Sequence, residues 1–185
     1  MKKKRKPYKF IILIIIVMLL MINIVPITKT IYPIKYTDIV YKYSKEYNLK
    51  PMLVFSVIQC ESKYDSKAKS NKNAYGLMQI QDSTAIWAAQ QIGITNFKVE
   101  DLYQPEINIR IGCWYINELS KEFDNKMDLV LSAYNAGSGN VTNWLKSKDH
   151  SKDGKDLYYI PYKETDRYVK KVKFMYSLYS FLYNK

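Results

Sequence analysis

Glu61 is the carboxylate best placed to do chemistry in this chain. It follows Val54, Val57 and Ile58 at three- and four-residue steps. That spacing puts it on the apolar face of a helix expected from Pro51 to about Ser62. It also stands near that helix's C-terminal end. Burial disfavours the charged carboxylate, and the negative end of the helix dipole disfavours it again. A carboxyl kept protonated near neutral pH is a general acid, able to protonate a glycosidic oxygen. On periodicity alone, a solvated glutamate opening the next loop fits better. The blocks that follow decide for the acid.

Three further blocks carry polar and aromatic groups beside flexible backbone: Gly76-Leu77-Met78-Gln79-Ile80, Ala133-Tyr134-Asn135-Ala136-Gly137, and Glu164-Thr165 with Tyr168-Val169. Gly137 is suited to a left-handed conformation, ending a helix in a turn that presents Tyr134 and Asn135 to a groove. The plain alternative is a core tyrosine followed by an ordinary cap. Gly76 either lets backbone approach a sugar ring or makes a simple turn before a short helix. Gln79 both donates and accepts hydrogen bonds, as hydroxyl and acetamido groups require. The chain holds 18 tyrosines, whose flat faces suit a pyranose, but most of these rings belong to core or surface.

With Glu61-Ser62, in this order and at these spacings, the blocks resemble the catalytic domain of the Slt-type lytic transglycosylases. The resemblance runs from roughly Asp38 to the C-terminus. It implies a lysozyme-like helical domain with a groove, acting on bacterial peptidoglycan between N-acetylmuramic acid and N-acetylglucosamine. It also implies that Glu61 works alone, without cofactor or second carboxylate. The glutamate would first protonate the bond, then act as a base on the muramyl 6-hydroxyl, which closes onto C1 to leave a 1,6-anhydro end. Most glycosidases use two carboxylates instead.

By the same resemblance Ser70 orients the glutamate and the sugar, and Met78 and Gln79 contact the acetamido-sugar. The Tyr134 hydroxyl bonds the glutamate, with Asn135 beside it, while Glu164 and Tyr168 belong to the opposite groove wall. Two departures stand out. Lys72 occupies a position that often holds a small polar residue, which bears on the negative subsites, and Gln81-Asp82 replace a common proline. A goose-type muramidase, hydrolysing the same bond, is the first alternative. It would favour an aspartate to position water, and Asp65 and Asp82 are the nearest, though both suit turns or helix caps. A non-catalytic wall-binding module is the second.

The elements that must position these groups read as all-α. Helices are expected over Asp38 to Tyr47, Pro51 to about Ser62, and about 83–92, 105–120, 127–134 and 139–146. A long final helix is expected over about 164–183, and Lys63 to Asn73 reads as a loop. Alternating strand patterns are nearly absent. The catalytic domain is expected over 37–185, after a linker at 28–36 in which Pro33 prevents a continuous helix.

Ahead of that linker, residues 1–9 carry six positive charges and no acid, and Phe10 to Ile27 are apolar except for Asn23 and Pro26. Eighteen helical residues span ~27 Å, close to the hydrocarbon thickness of a bilayer. The expectation is an uncleaved, single-pass membrane anchor at 10–27, because no small-residue cleavage pattern follows the run. A basic cytoplasmic tail at 1–9 would put the rest on the cell-wall side. The tail accounts for half of the formal net charge of +12. The basic remainder suits an anionic wall, and the scattered lysines on an exported chain argue against nucleic acid.

The expected partners are therefore glycan strands and the membrane, with room for a regulatory or machinery partner. An oxidising compartment permits a disulfide between Cys60 and Cys113, but both also sit on apolar helical stripes where free cysteine packs as a small hydrophobe. One histidine, His150, in a polar loop leaves no ligand set for a metal.

Overall fold

In the computed structural model, residues 8–183 are described, and the basic tail expected at 1–9 lies largely outside them. The chain divides into two compact units, Met1–Lys35 and Tyr36–Lys185. The first holds helix α1 (Tyr8–Ile31), which contains Pro26 and ends two residues before Pro33. Among the described residues no helix is long and apolar enough to cross a membrane, so the span expected at 10–27 is not shown. The side chains of Phe10, Leu13, Ile16, Val17 and Leu19, all within that run, are outside the description.

The second unit is helical, as its periodicity predicts. Its helices are α2 (Thr37–Glu46), α3 (Pro51–Glu61), α4 (Asp82–Gln91), α5 (Pro105–Glu122), α6 (Met127–Ala136), α7 (Ser138–Lys146) and α8 (Lys163–Tyr183). Prolines 51 and 105 open α3 and α5, where a missing N–H leaves no intrahelical bond unmade. Asn48, expected to stop α2, takes a positive φ of 52° just beyond it.

Helix α3 is the centre of the unit. Val54, Phe55, Val57 and Ile58 have no exposed surface, because α2 and α8 pack against it. Helix α8 also lies on α6, and α5 meets α2, α4 and α6. Val169, Val172, Met175 and Tyr179 of α8 fill the contact at three- and four-residue steps.

Two small elements were not foreseen. Strands β1 (Ala74–Tyr75) and β2 (Ile80–Gln81) pair antiparallel, Tyr75 opposite Ile80. Two residues are too few to show an alternating pattern. A 3-10 turn, Val99–Tyr103, buries Leu102 completely. Its start is fastened by Asp101, whose carboxylate accepts the Lys98 backbone N–H at 2.9 Å. The strands border the candidate site, and the 3-10 turn packs behind them against Gly76 and Asn108.

Candidate active site

Glu61 is the last residue of α3, so the burial of that helix carries its side chain inward. Its carboxyl is pushed up from the usual 4.5 to about 7. Desolvation is the largest cause. The Tyr168 hydroxyl and the Lys171 charge oppose it without cancelling it. The Tyr168 hydroxyl is buried and faces the carboxyl, yet it makes no hydrogen bond of ordinary geometry. Lys171, which motif reasoning did not single out, donates from Nζ to the Cys60 carbonyl at 3.2 Å. It thus places a cation at the negative end of α3, where a cation is favoured.

The Gly76–Gln79 segment is the turn that links β1 to β2, and two side chains hold it in place. The Ser62 hydroxyl, one residue past Glu61, donates to the Leu77 carbonyl at 2.8 Å. From the other side comes Asn108 of α5, fully buried. Its Oδ1 accepts the Met78 N–H at 2.8 Å, and its Nδ2 donates to the carbonyls of Tyr75 and Leu102 at 2.8 and 2.9 Å. Gly76 has φ +72°, and a Cβ there would collide with the Leu102 carbonyl and the Asn108 amide. The glycine is therefore required for packing against the 3-10 turn and α5. The expected approach of its backbone to a sugar is not what the structure shows, since Gly76 does not border the cavity.

A cavity of about 330 Å³ brings Glu61 together with Ser70, Gln79, Tyr134, Asn135 and Glu164. Ser70 Oγ accepts the N–H groups of Lys72 and Ala74, which folds the loop before β1 against the cavity. Gln79, at φ +49°, donates from Nε2 to the carbonyls of Ala68 and Gly76. Gly137, at φ +90°, separates α6 from α7 and borders the cavity with Tyr134 and Asn135. Asn135 Oδ1 accepts the Thr165 hydroxyl at 2.8 Å, tying α6 to the start of α8.

Two expected contacts differ. Met78 has no exposed surface, because its thioether packs on Gly112 of α5. It does not border the cavity, and what it offers is its carbonyl. The Tyr134 hydroxyl donates to that carbonyl at 2.8 Å, where a bond to the glutamate was expected. Tyr168 likewise lies outside the cavity wall. Burial first, then the Glu61 charge, hold both tyrosine hydroxyls well above their usual pKa, so both remain donors.

Thr84 of α4 and Tyr115 of α5 also line the wall and had no sequence signal beyond helical periodicity. Lys72, noted as a departure, also borders the cavity. Its Nζ is 3.8 Å from Glu164 Oε2, both side chains being largely exposed. Asp65 and Asp82 accept the Lys67 and Ser83 backbone N–H groups, and neither borders the cavity. Cys60 and Cys113 are both free. Among the described residues no group of His, Cys, Asp and Glu is arranged to hold a metal.

A helical domain with a desolvated carboxyl at a helix end, on the wall of a polar cavity, is a broad class. Comparison with known proteins narrows it. The family model for the transglycosylase SLT domain matches residues 38–157, and the chain belongs to that family. The soluble lytic murein transglycosylase of Salmonella typhimurium is 32% identical over 143 residues, covering 76% of this chain and 22% of that protein. The membrane-bound lytic murein transglycosylase E of Buchnera aphidicola is 36% identical over 92 residues, 48% of this chain and 41% of that one.

Among solved structures, the 70 kDa soluble lytic transglycosylase of Escherichia coli is similar with a TM-score of 0.74 at 29% identity. The match covers 83% of this chain and 25% of that one. A complex of a 70 kDa soluble lytic transglycosylase with bulgecin A gives a TM-score of 0.76 at 28% identity, covering 85% of this chain and 26% of that chain. The chain spans only about a quarter of the soluble relatives it matches.

Proposed function

We propose that this protein is a peptidoglycan lytic transglycosylase with Glu61 as its acid and base. The observation that carries the reading is the position of Glu61 on the wall of the polar cavity, with its carboxyl pushed up to about 7 by desolvation. A protonated carboxyl gives its proton to the oxygen linking N-acetylmuramic acid to N-acetylglucosamine, and the bond from C1 to that oxygen breaks. The resulting carboxylate takes the proton of the muramyl 6-hydroxyl as O6 bonds to C1. The bond to the leaving sugar is replaced by a 1,6-anhydro bridge, with no net uptake of water. Glu61 is thereby reprotonated for the next turnover.

A single working carboxylate accords with the remaining acids. Glu164, the other acid on the cavity, is exposed and faces Lys72. Asp65 and Asp82 are engaged by backbone N–H groups and lie off the cavity, which weighs against a hydrolytic scheme with an aspartate-held water. Ser70, Gln79 and Asn135 offer polar groups to the acetamido-sugars, while the Tyr168 hydroxyl faces the acid and Tyr134 is held beside it by the Met78 carbonyl. Met78 meets no sugar in this scheme, and its carbonyl holds the Tyr134 hydroxyl.

The test is mass spectrometry of muropeptides released from purified peptidoglycan by the full chain in detergent. Products ending in 1,6-anhydro-N-acetylmuramic acid, absent with Glu61→Gln, are expected. Reducing muramyl ends alone would make the protein a hydrolase.

The same proposal places the domain on the wall side of a membrane, anchored by residues 10–27. Its support is the apolar run, the basic residues before it, and the continuous helix Tyr8–Ile31. Protease added outside intact cells should digest the domain, and protection would overturn this topology.

A further inference from the structure

Helix α8 carries a stripe that the fold leaves uncovered. Arg167, Lys171, Phe174, Leu178 and Phe181 follow one another at steps of four, three, four and three residues, so they share one face of the helix. The buried residues Val169, Val172, Met175 and Tyr179 form a separate stripe. Phe181 and Phe174 are 73% and 64% exposed, the highest values for large apolar side chains among the described residues of the second unit. Leu178, between them, is half-buried.

The N-terminal end of the stripe is cationic, and no acid lies on it. Lys170 and Lys173, beside it, are held by Asp166 and Asp128 at 2.7 and 2.6 Å. Arg167 and Lys171 donate instead to the carbonyls of Lys163 and Cys60, and neither forms an ion pair among the described residues. Free cations followed by apolar side chains on one helix face suit the surface of an anionic bilayer. The guanidinium and ammonium groups meet lipid phosphates while the rings enter the acyl boundary. A second copy of the chain suits the face poorly. Three apolar residues fall far short of the roughly 20–30 residues a side of a stable protein interface. The net charge of +12 also sets copies against one another. The bilayer, by contrast, is within reach. Only residues 32–36 separate α1 from α2, and such a segment extends at most ~18 Å.

We infer that the face of α8 running from Arg167 to Phe181 is a docking surface for anionic phospholipid, on which the catalytic unit lies against the wall-side leaflet. The short tether rests on the anchored topology proposed above; the stripe does not. Docking restricts the unit to glycan strands nearest the membrane, and the stripe's phenylalanines take no part in bond cleavage.

The experiment reconstitutes the full chain into vesicles of phosphatidylcholine alone or mixed with phosphatidylglycerol, with acyl chains either brominated or plain. Phe181→Trp adds one indole, whose emission is the excess over the parent protein in the same vesicles. Brominated chains should cut that excess at least about twofold in the anionic vesicles and little in the zwitterionic ones. High salt, which screens the lipid charge, should relieve the quenching. Adding Arg167→Glu and Phe174→Ser should abolish it with the helical circular dichroism unchanged. Equal emission from brominated and plain anionic vesicles would overturn the docking surface, as would quenching indifferent to lipid charge. Self-association in detergent that Phe181→Ser removes would give the face to a second copy and overturn it too. A chain stripped from phosphatidylcholine vesicles by alkaline carbonate would refute the anchor alone, because the quenching still reports whether α8 meets anionic lipid.

Discussion

The hydroxyl of Tyr134 donates to the carbonyl of Met78 at 2.8 Å, joining two parts of the chain separated by 56 residues. Tyr134 stands near the end of α6 and Met78 in the turn between β1 and β2. The turn is fastened by Ser62 and Asn108 as well, so α3, α5 and α6 all meet at one short stretch of backbone. The rigidity of the cavity beside Glu61 follows from that convergence. A group that must meet a bond at hydrogen-bonding distance needs such support.

Removing the Tyr134 hydroxyl tests the link directly. Tyr134→Phe keeps the ring on Tyr115 but leaves the Met78 carbonyl without this partner. Stability should fall by about 1–2 kcal/mol, read by denaturant unfolding. An unchanged midpoint would show that the bond contributes nothing.

Asn108 carries more. It is fully buried and satisfies three backbone groups at once. Asn108→Ala strands an N–H and two carbonyls, and should destabilise the domain by about 3 kcal/mol or more. Asn108→Asp keeps the acceptor and loses the donors, so it should not rescue. A mild loss for either variant would contradict the role assigned to this side chain.

The raised pKa of Glu61 links stability to pH. The folded state holds the proton more tightly than the unfolded chain, so the contribution is fully present below about 4.5 and is lost as pH rises through about 7. Glu61→Gln cannot ionise and escapes that loss. Its melting temperature should exceed the parent's increasingly from pH 5 to pH 8, by an amount on the order of 3 kcal/mol in stability. Parallel curves would mean that the carboxyl is not desolvated.

Activity should follow the same titration. The acid must be protonated, so cleavage should fall about tenfold per pH unit above about 7. The Tyr168 hydroxyl and the Lys171 charge hold the pKa down, while Tyr134 and Cys60 face Glu61 with neutral groups. Lys171→Met should therefore move the alkaline limb of the pH–rate profile upward. A downward move would reverse the sign of the interaction.

Much of this protein was legible without coordinates because helices are local objects. Seven helices of the second unit follow from three- and four-residue apolar steps, and Glu61 falls on the buried stripe of α3 because Val54, Val57 and Ile58 define it. The order of the short blocks identified the family for the same reason: spacing along a chain survives in one dimension. Contacts across the fold do not. Nothing near Asn108 announces a partner 30 residues upstream, and two-residue strands are too short to carry a period.

Only the tertiary structure turned Met78 away from the cavity, because Gly112 on another helix leaves a hole that its thioether fills. Only the tertiary structure sent the Tyr134 hydroxyl to a carbonyl, and brought Lys171 to the end of α3 next to Glu61. Residue type and periodicity determine which face of a helix is buried. What that face meets depends on how several helices pack at once, and a side chain reaches whichever partner the packing leaves within about 3 Å.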